Sequence, residues 1–313
     1  MAPRKSKKNS VPQLQASDFI QLSDLAAILE QLATPLLDED DDKALDKAKE
    51  IFYKAGEAPS KKRRIALAKK AIEISPLCAD AYVLLAEHET WASDTQLMFY
   101  RQALEGGRKA IGDEFEELTG AFWGWLETRP FMRAKLGLAI CLWERNEREE
   151  ALEHLREMLH LNPNDNQGVR SILAAYLLES SLHGELAALL KAYKDDTSAD
   201  LSFSRALLAF RLHGDSDKSR KALAAAVKQN KHVRLYIAAG KAIPKSLPPF
   251  YSWGDDSEAV HYADKFKKGW DETPGAIDWL RDFKEAAKKE PPAKRASKAK
   301  PRVQGRLFSD AAE

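Results

Sequence analysis

Cysteine is almost absent. Cys78 and Cys141 are the only two in 313 residues, and each sits inside an apolar helical pattern. That argues against a disulfide framework and fits a reduced, cytoplasmic chain. No apolar run approaches the roughly 18 residues that a membrane helix needs. The basic start is not followed by the apolar stretch of a secretory signal. A phosphate-cradling glycine loop is missing too: Gly106-Gly107 lies in a helical pattern without the Lys-Ser/Thr pair that completes such a loop. Histidines are few and scattered. His88 stands between Glu87 and Glu89 with no second histidine at zinc-helix spacing, and His154 and His160 fall on different faces of a helix. His183 follows Ser180-Ser181 only in a turn. The expectation is a chain with no catalytic residues, no metal site and no cofactor, hence not an enzyme.

Net charge is also lacking, but its distribution is not even. The total of +1 combines basic ends with an acidic body. Arg4, Lys5, Lys7 and Lys8 mark the first end; residues 284–306 carry nine basic side chains against Glu285 and Glu290. Both ends lack hydrophobic periodicity, so residues 1–16 and 287–313 are expected to be disordered basic tails.

Helical periodicity fills the remainder. Its clearest stretch runs from Arg129 to Asp165 and reads as two helices joined by a polar turn. Leu138, Ala139 and Leu142 lie on the first helix, Ala151, Leu155 and Met158 on the second, and Pro163 closes the unit. These offsets fit the ~34-residue tetratricopeptide pattern. Small residues stand where the two helices cross, large ones fill the space around the crossing, and proline cannot continue the second helix. One such hairpin cannot bury its own apolar face, so neighbours are expected on both sides.

They are readable. Before it, Ser17 opens an amphipathic helix with Leu22, Leu25, Ile28, Leu29 and Leu32, and a helix over 43–55 presents Ala44, Leu45, Ala48, Ile51 and Phe52. Ser60 caps the next helix, which ends at Pro76. Tyr82, Leu85 and Ala86 start a further unit whose second helix carries Ala103, Gly107 and Ala110. Asp113 and Glu116 have capping-box spacing, so Phe115, Leu118, Phe122, Trp123, Trp125 and Leu126 are expected on an inserted aromatic helix. After the central unit come Val169, Ile172, Leu173 and Tyr176, then Phe203, Ala206, Leu207 and Phe210, with Asn230 where a closing proline would stand. The expected architecture is all-α, a tetratricopeptide-like helical-repeat solenoid over residues 17–240. Residues 241–286 follow as an aromatic, proline-rich linker and two helices expected to cap the open end. The linker aromatics of IPKSLPPFYSW are expected to seek burial, and Thr273-Pro274 is expected to start the last helix.

In such a stack the first helix of each unit lines a concave groove. The repeat phase puts Asp80, Val83, Glu87 and Thr90 there, then Arg133, Leu136, Ile140 and Trp143, then Gln167, Arg170, Ala174 and Leu177. Arg133, Gln167 and Arg170 are placed to grip a carboxylate or an acidic peptide by charge-assisted hydrogen bonds, unless intramolecular carboxylates hold the arginines first.

The segments RPFMRAKLGLAICLWERNEREEALEHLREMLHLNPNDNQGVR, RALLAF, GDSDKSRKAL, PFYSWGDDSEAVHYA and TPGAIDWL carry a family resemblance. Over roughly residues 45–281 the chain resembles bacterial tetratricopeptide-repeat proteins similar to the suppression-of-tumorigenicity-seven family. The resemblance implies an all-helical repeat fold and no defined activity. It directs attention to Asn166, Gln167, Gly168 and Arg170 in the NPNDNQGVR junction. Separately, Gln304, Leu307 and Phe308 of QGRLF resemble the sliding-clamp-binding pentapeptide, although Gly305 replaces its preferred leucine. Two functions follow as expectations: a scaffold that binds a protein or peptide in its groove, or an accessory protein whose tails engage nucleic acid or a sliding clamp. No membrane is implied.

Overall fold

The computed structural model describes residues 39–87 and 93–284, and among them every regular element is helical. The expected helix over 17–34, Thr90, and Gln304, Leu307 and Phe308 lie outside the described residues. Five hairpins follow one another: α1 Glu39–Gly56 with α2 Lys61–Ile74, α3 Ala79–Ala86 with α4 Ser93–Ile111, α5 Arg129–Glu144 with α6 Arg148–Leu161, α7 Val169–Glu179 with α8 His183–Ala192, and α9 Ala199–His213 with α10 Asp217–Gln229. Short α11 Val233–Ile237, long α12 Asp256–Asp271 and α13 Ala276–Asp282 follow among the described residues. The fold is an all-α stack of tetratricopeptide-like hairpins, as the repeat phase predicts.

The central hairpin joins two apolar clusters. Ala134, Leu138, Cys141, Leu142 and Ala151 belong to the cluster built from α1 to α4. Phe131, Met132, Ala139, Leu152 and Leu155 belong to the cluster that continues through α12 and α13. Helices α5 and α6 therefore bury residues toward both neighbours, which explains why their pattern is the most regular in the sequence. Close packing leaves no room at Gly137, where an added Cβ would lie 2.1 Å from Cε1 of the buried Tyr100 ring. Gly137→Ala is expected to destabilise by roughly 1–3 kcal/mol through overpacking. Gly56→Ala, where nothing lies within 4 Å, is the neutral control. Chemical denaturation of the two variants checks the difference.

The α5–α6 contact also buries a polar pair. Lys135, 2 % exposed, bonds Nδ1 of His154 and pairs with Glu157. Burial, with Lys135 adding to it, pushes the His154 pKa from 6.5 down to about 4. The unfolded chain takes up this proton near 6.5 and the folded chain only near 4. The contribution is therefore complete above the unfolded value and is lost as pH falls toward the folded one. After allowing for solvent screening at the ring edge, about 2 kcal/mol of stability depends on it. His154→Gln cannot protonate, so urea unfolding should show it losing less stability than the wild type between neutral pH and pH ~4.

Two local expectations are corrected. The 112–128 insert does not form an aromatic helix; Gly112 at φ 62° and Gly120 at φ 93° break it into two 3₁₀ turns, Gly112–Phe115 and Phe122–Gly124. Phe115, Phe122 and Phe131 then meet edge to face, at ring-centroid distances of 4.8, 5.3 and 5.9 Å. The last helix starts at Ala276, after Gly275 at φ 77°, and not at Thr273-Pro274. Thr273 instead donates its hydroxyl to the Gly269 carbonyl and accepts from Arg211 Nε.

Helix α12 packs against α7 and α9, the first helices of the last two hairpins, as well as against α11 and α13. Tyr262, Ala263, Phe266 and Trp270 make its buried face. Gly269 faces α7 here, and an added Cβ would meet Leu178 Cβ at 3.6 Å, an ordinary packing contact. Arg211 ties the three helices together by donating to the carbonyls of Leu178 and Gly269. Ala174 and Leu177, two of the groove positions, are fully buried.

Candidate functional site

A polar cleft forms where the 162–168 loop, the start of α9 and the approach to α12 converge. Pro163 ends the preceding helical run, and the loop then turns through Asp165 at φ 49° and Gly168 at φ 72°. Gly168 has no side chain with which to cap α7. Asp165 does so from three residues earlier, accepting from the backbone N–H groups of Val169 at 2.6 Å and Arg170 at 2.9 Å. The same carboxylate accepts from Arg170 Nη1 at 2.8 Å, while Arg170 Nε reaches Asp196 at 2.6 Å. The guanidinium also lies over the Tyr193 ring. Burial raises the Asp165 pKa despite these donors. Asp196 is partly buried, which raises its pKa, but the Ser198 hydroxyl, the Ser198 N–H and Arg170 together outweigh that and lower it.

On the opposite wall, Glu258 is 4 % exposed and accepts from three separate segments. Its donors are Ala199 N at 2.9 Å, Asn230 Nδ2 at 2.9 Å and Gly254 N at 2.7 Å. Asn230 also donates to the Asp255 carbonyl and accepts from His232 N. A proline closing the repeat here would lack the side-chain amide that makes these ties, so the asparagine in its place was the readable signal. Lys265 pairs with Asp200, and His261 Nε2 bonds the Pro248 carbonyl at 2.8 Å. The open cleft has a volume of about 280 Å³ and is lined by Asn166, Gln167, Arg170, Ser171, Tyr251, Trp253, His261 and Lys265 among others. Gln167 Oε1 is buried there and accepts no hydrogen bond from a described residue.

The linker aromatics are not buried as expected. Phe250 is 85 %, Tyr251 49 % and Trp253 64 % exposed. Polar bonds hold this segment on the surface: Ser252 N donates to Ser257 Oγ, and Asp255 caps α12 through the N–H groups of Ser257 and Glu258. Tyr251 packs beside His261 and Trp253, at centroid distances of 5.2 and 6.2 Å.

Of the expected site residues, Gln167 and Arg170 from the repeat phase and Asn166 from the family resemblance come together in this cleft. Arg133 lies elsewhere, between α5 and α3, bound through two nitrogens to Asp80 at 2.6 and 2.8 Å. Both arginines are thus held by carboxylates of the chain itself. Along α5, Leu136, Ile140 and Trp143 stay partly exposed, and Trp143 stacks on Tyr176 of α7 at 3.8 Å. The phase of the repeat could not find Tyr251, Trp253, Glu258, His261 or Lys265, because they lie beyond the last hairpin and reach the cleft only through the docking of α12. The NPNDNQGVR and PFYSWGDDSEAVHYA segments, both of which carry the family resemblance, face each other across it.

A chain of stacked helical hairpins with a polar cleft beside its last units belongs to the helical-repeat class. More particularly, the model of the ST7 protein family matches residues 30–298, and the chain belongs to that family. Similar relatives include the suppressor of tumorigenicity 7 protein-like of Danio rerio, 28% identical over 250 residues, covering 74% of this chain and 43% of the relative. The Homo sapiens protein of the same description is 28% identical over 256 residues, 74% of this chain and 44% of its own. The protein ST7 homolog of Drosophila pseudoobscura pseudoobscura is 28% identical over 256 residues, 74% of this chain and 47% of its own. The chain thus spans less than half the length of these curated relatives. Among solved structures, YrrB, described as a TPR protein with an unusual peptide-binding site, aligns at TM-score 0.43 and 19% identity, over 61% of this chain and 92% of that one. Among the described residues no helix is long and apolar enough to cross a membrane, and no group of three His, Cys, Asp or Glu side chains is arranged to hold a metal ion.

Proposed function

We propose that the chain is a non-catalytic scaffold that binds a peptide or protein segment, and that its binding surface is the cleft around Asn166, Gln167 and Arg170 with the aromatic rim of Tyr251 and Trp253. The observation that carries this reading is the exposed aromatic rim beside a preformed polar cleft. Large amphipathic rings at little entropic cost are the usual anchors of an interface. Helix α12 fills the first-helix face of the last two hairpins, which moves the available surface from the groove to the cleft edge. The charged groups of the cleft are committed to one another: Arg170 to Asp165 and Asp196, Lys265 to Asp200, Glu258 to three N–H donors. Such a wall is preformed and can position a ligand. An acidic ligand would have to displace carboxylates already in place, so Arg133 and Arg170 hold architecture, not an anion.

Quantitative co-purification from the source cell tests the reading. Tyr251→Ala/Trp253→Ala should reduce recovery of a specific partner roughly tenfold or more, while Arg133→Ala leaves it unchanged. Equal recovery with all three proteins would contradict the assignment.

A further inference from the structure

The cleft has an acidic bias. Among its lining residues the carboxylates Asp165, Asp200 and Glu258 outnumber the cations Arg170 and Lys265. Its rim presents Tyr251 and Trp253, with Phe250 more exposed still. Aromatic faces take proline rings and cationic side chains, and a negative wall favours the latter. Gln167 Oε1 adds an unpartnered acceptor for a backbone N–H. A segment with those properties is present in the same chain. Residues 288–306 hold eight basic side chains against Glu290 alone, with Pro291, Pro292 and Pro301 among them.

We propose that this basic, proline-bearing segment is itself a ligand of the cleft, docking in cis over Tyr251 and Trp253. The point of departure suits it. Arg281, near the end of α13, donates to the Ala238 carbonyl just after α11, and its own carbonyl accepts from Arg234 of α11. Tyr236 of α11 in turn bonds Asp256 at the start of α12, the helix that carries Glu258 and His261. Lys284 therefore leaves from the neighbourhood of the α12 start. An extended segment covers ~3.3 Å per residue, so twenty residues outreach α12, which is roughly 24 Å long. Tethering raises the local concentration into the millimolar range, so even a weak contact is populated. Any partner of the cleft would then compete with this segment.

The inference rests on the cleft as the binding surface, and its test is separable from that reading. The full chain is labelled with 5-fluorotryptophan, and the Trp253 resonance is assigned with Trp253→Phe. It is compared with a full chain carrying Lys294→Glu, Arg295→Glu, Lys298→Glu and Lys300→Glu. The expected result is a distinct Trp253 position in the wild type that moves toward that of the charge-reversed chain as salt is raised. A synthetic 288–306 peptide added to the charge-reversed chain should restore it. Coincident, salt-insensitive resonances would overturn the proposal. A wild-type position that changes on tenfold dilution would assign the contact to a second copy and overturn docking in cis. Loss of the proposal with ring-dependent partner recovery intact would leave the scaffold reading standing.

Discussion

Trp270→Ala is expected to cost roughly 3–5 kcal/mol of folding stability, the largest effect of any single truncation of an aromatic in α12. The indole is fully buried and donates its N–H to Tyr262 Oη at 2.6 Å. It lies 6.5 Å from the Trp279 ring of α13, while Tyr262 stacks on Phe266 at 4.7 Å and meets Phe203 of α9 at 5.3 Å. Truncation empties the space between α12 and the hairpin stack and leaves a buried hydroxyl without its donor. Trp270→Phe, which retains most of the volume, is expected to cost less, about 1–2 kcal/mol. Equilibrium urea unfolding measures both. A loss below about 1 kcal/mol for the alanine variant would mean that α12 is not anchored as described.

Glu258→Ala is expected to rank next, at roughly 3–5 kcal/mol. Its carboxylate joins the start of α9, the end of α10 and the loop before α12, so removal leaves three N–H donors without their acceptor. The change acts on the geometry of the cleft as well as on stability. Glu258→Gln retains the shape but turns an amide NH₂ toward one or more donors, so it should recover only part of the loss. Thermal unfolding of the two variants, with Asn230→Ala as a partner in a double-mutant cycle, separates the contributions. Additive losses for Glu258→Ala and Asn230→Ala would contradict the direct tie between them.

Much of the hairpin stack was legible because its signals are local. Small and large residues alternate at helical spacing in Arg129–Asp165, and the same phase carries to Val169 and Phe203. Local signals also misled. Asp113 and Glu116 have the spacing of a capping box, but left-handed Gly112 and Gly120 on either side prevent the helix that such a box would start. Thr273-Pro274 resembles a helix start, yet Thr273 is drawn back to Gly269 and Arg211. Half of the cleft was legible through the NDNQGVR junction. The other half depends on a long-range event, the return of α12 over α7 and α9, which no periodicity encodes. Phe250, Tyr251 and Trp253 stay exposed because polar bonds, not ring burial, hold their segment beside α12.

Site-specific photo-crosslinking tests the central claim most directly. p-Benzoylphenylalanine replaces either Trp253 at the cleft rim or Ile140 on the α5 face, in chains whose 294–300 cations are reversed to keep the basic segment away. Irradiation in the source cell is expected to give discrete protein adducts from position 253 and none from position 140. Adducts confined to position 140 would return the binding surface to the groove and contradict the account.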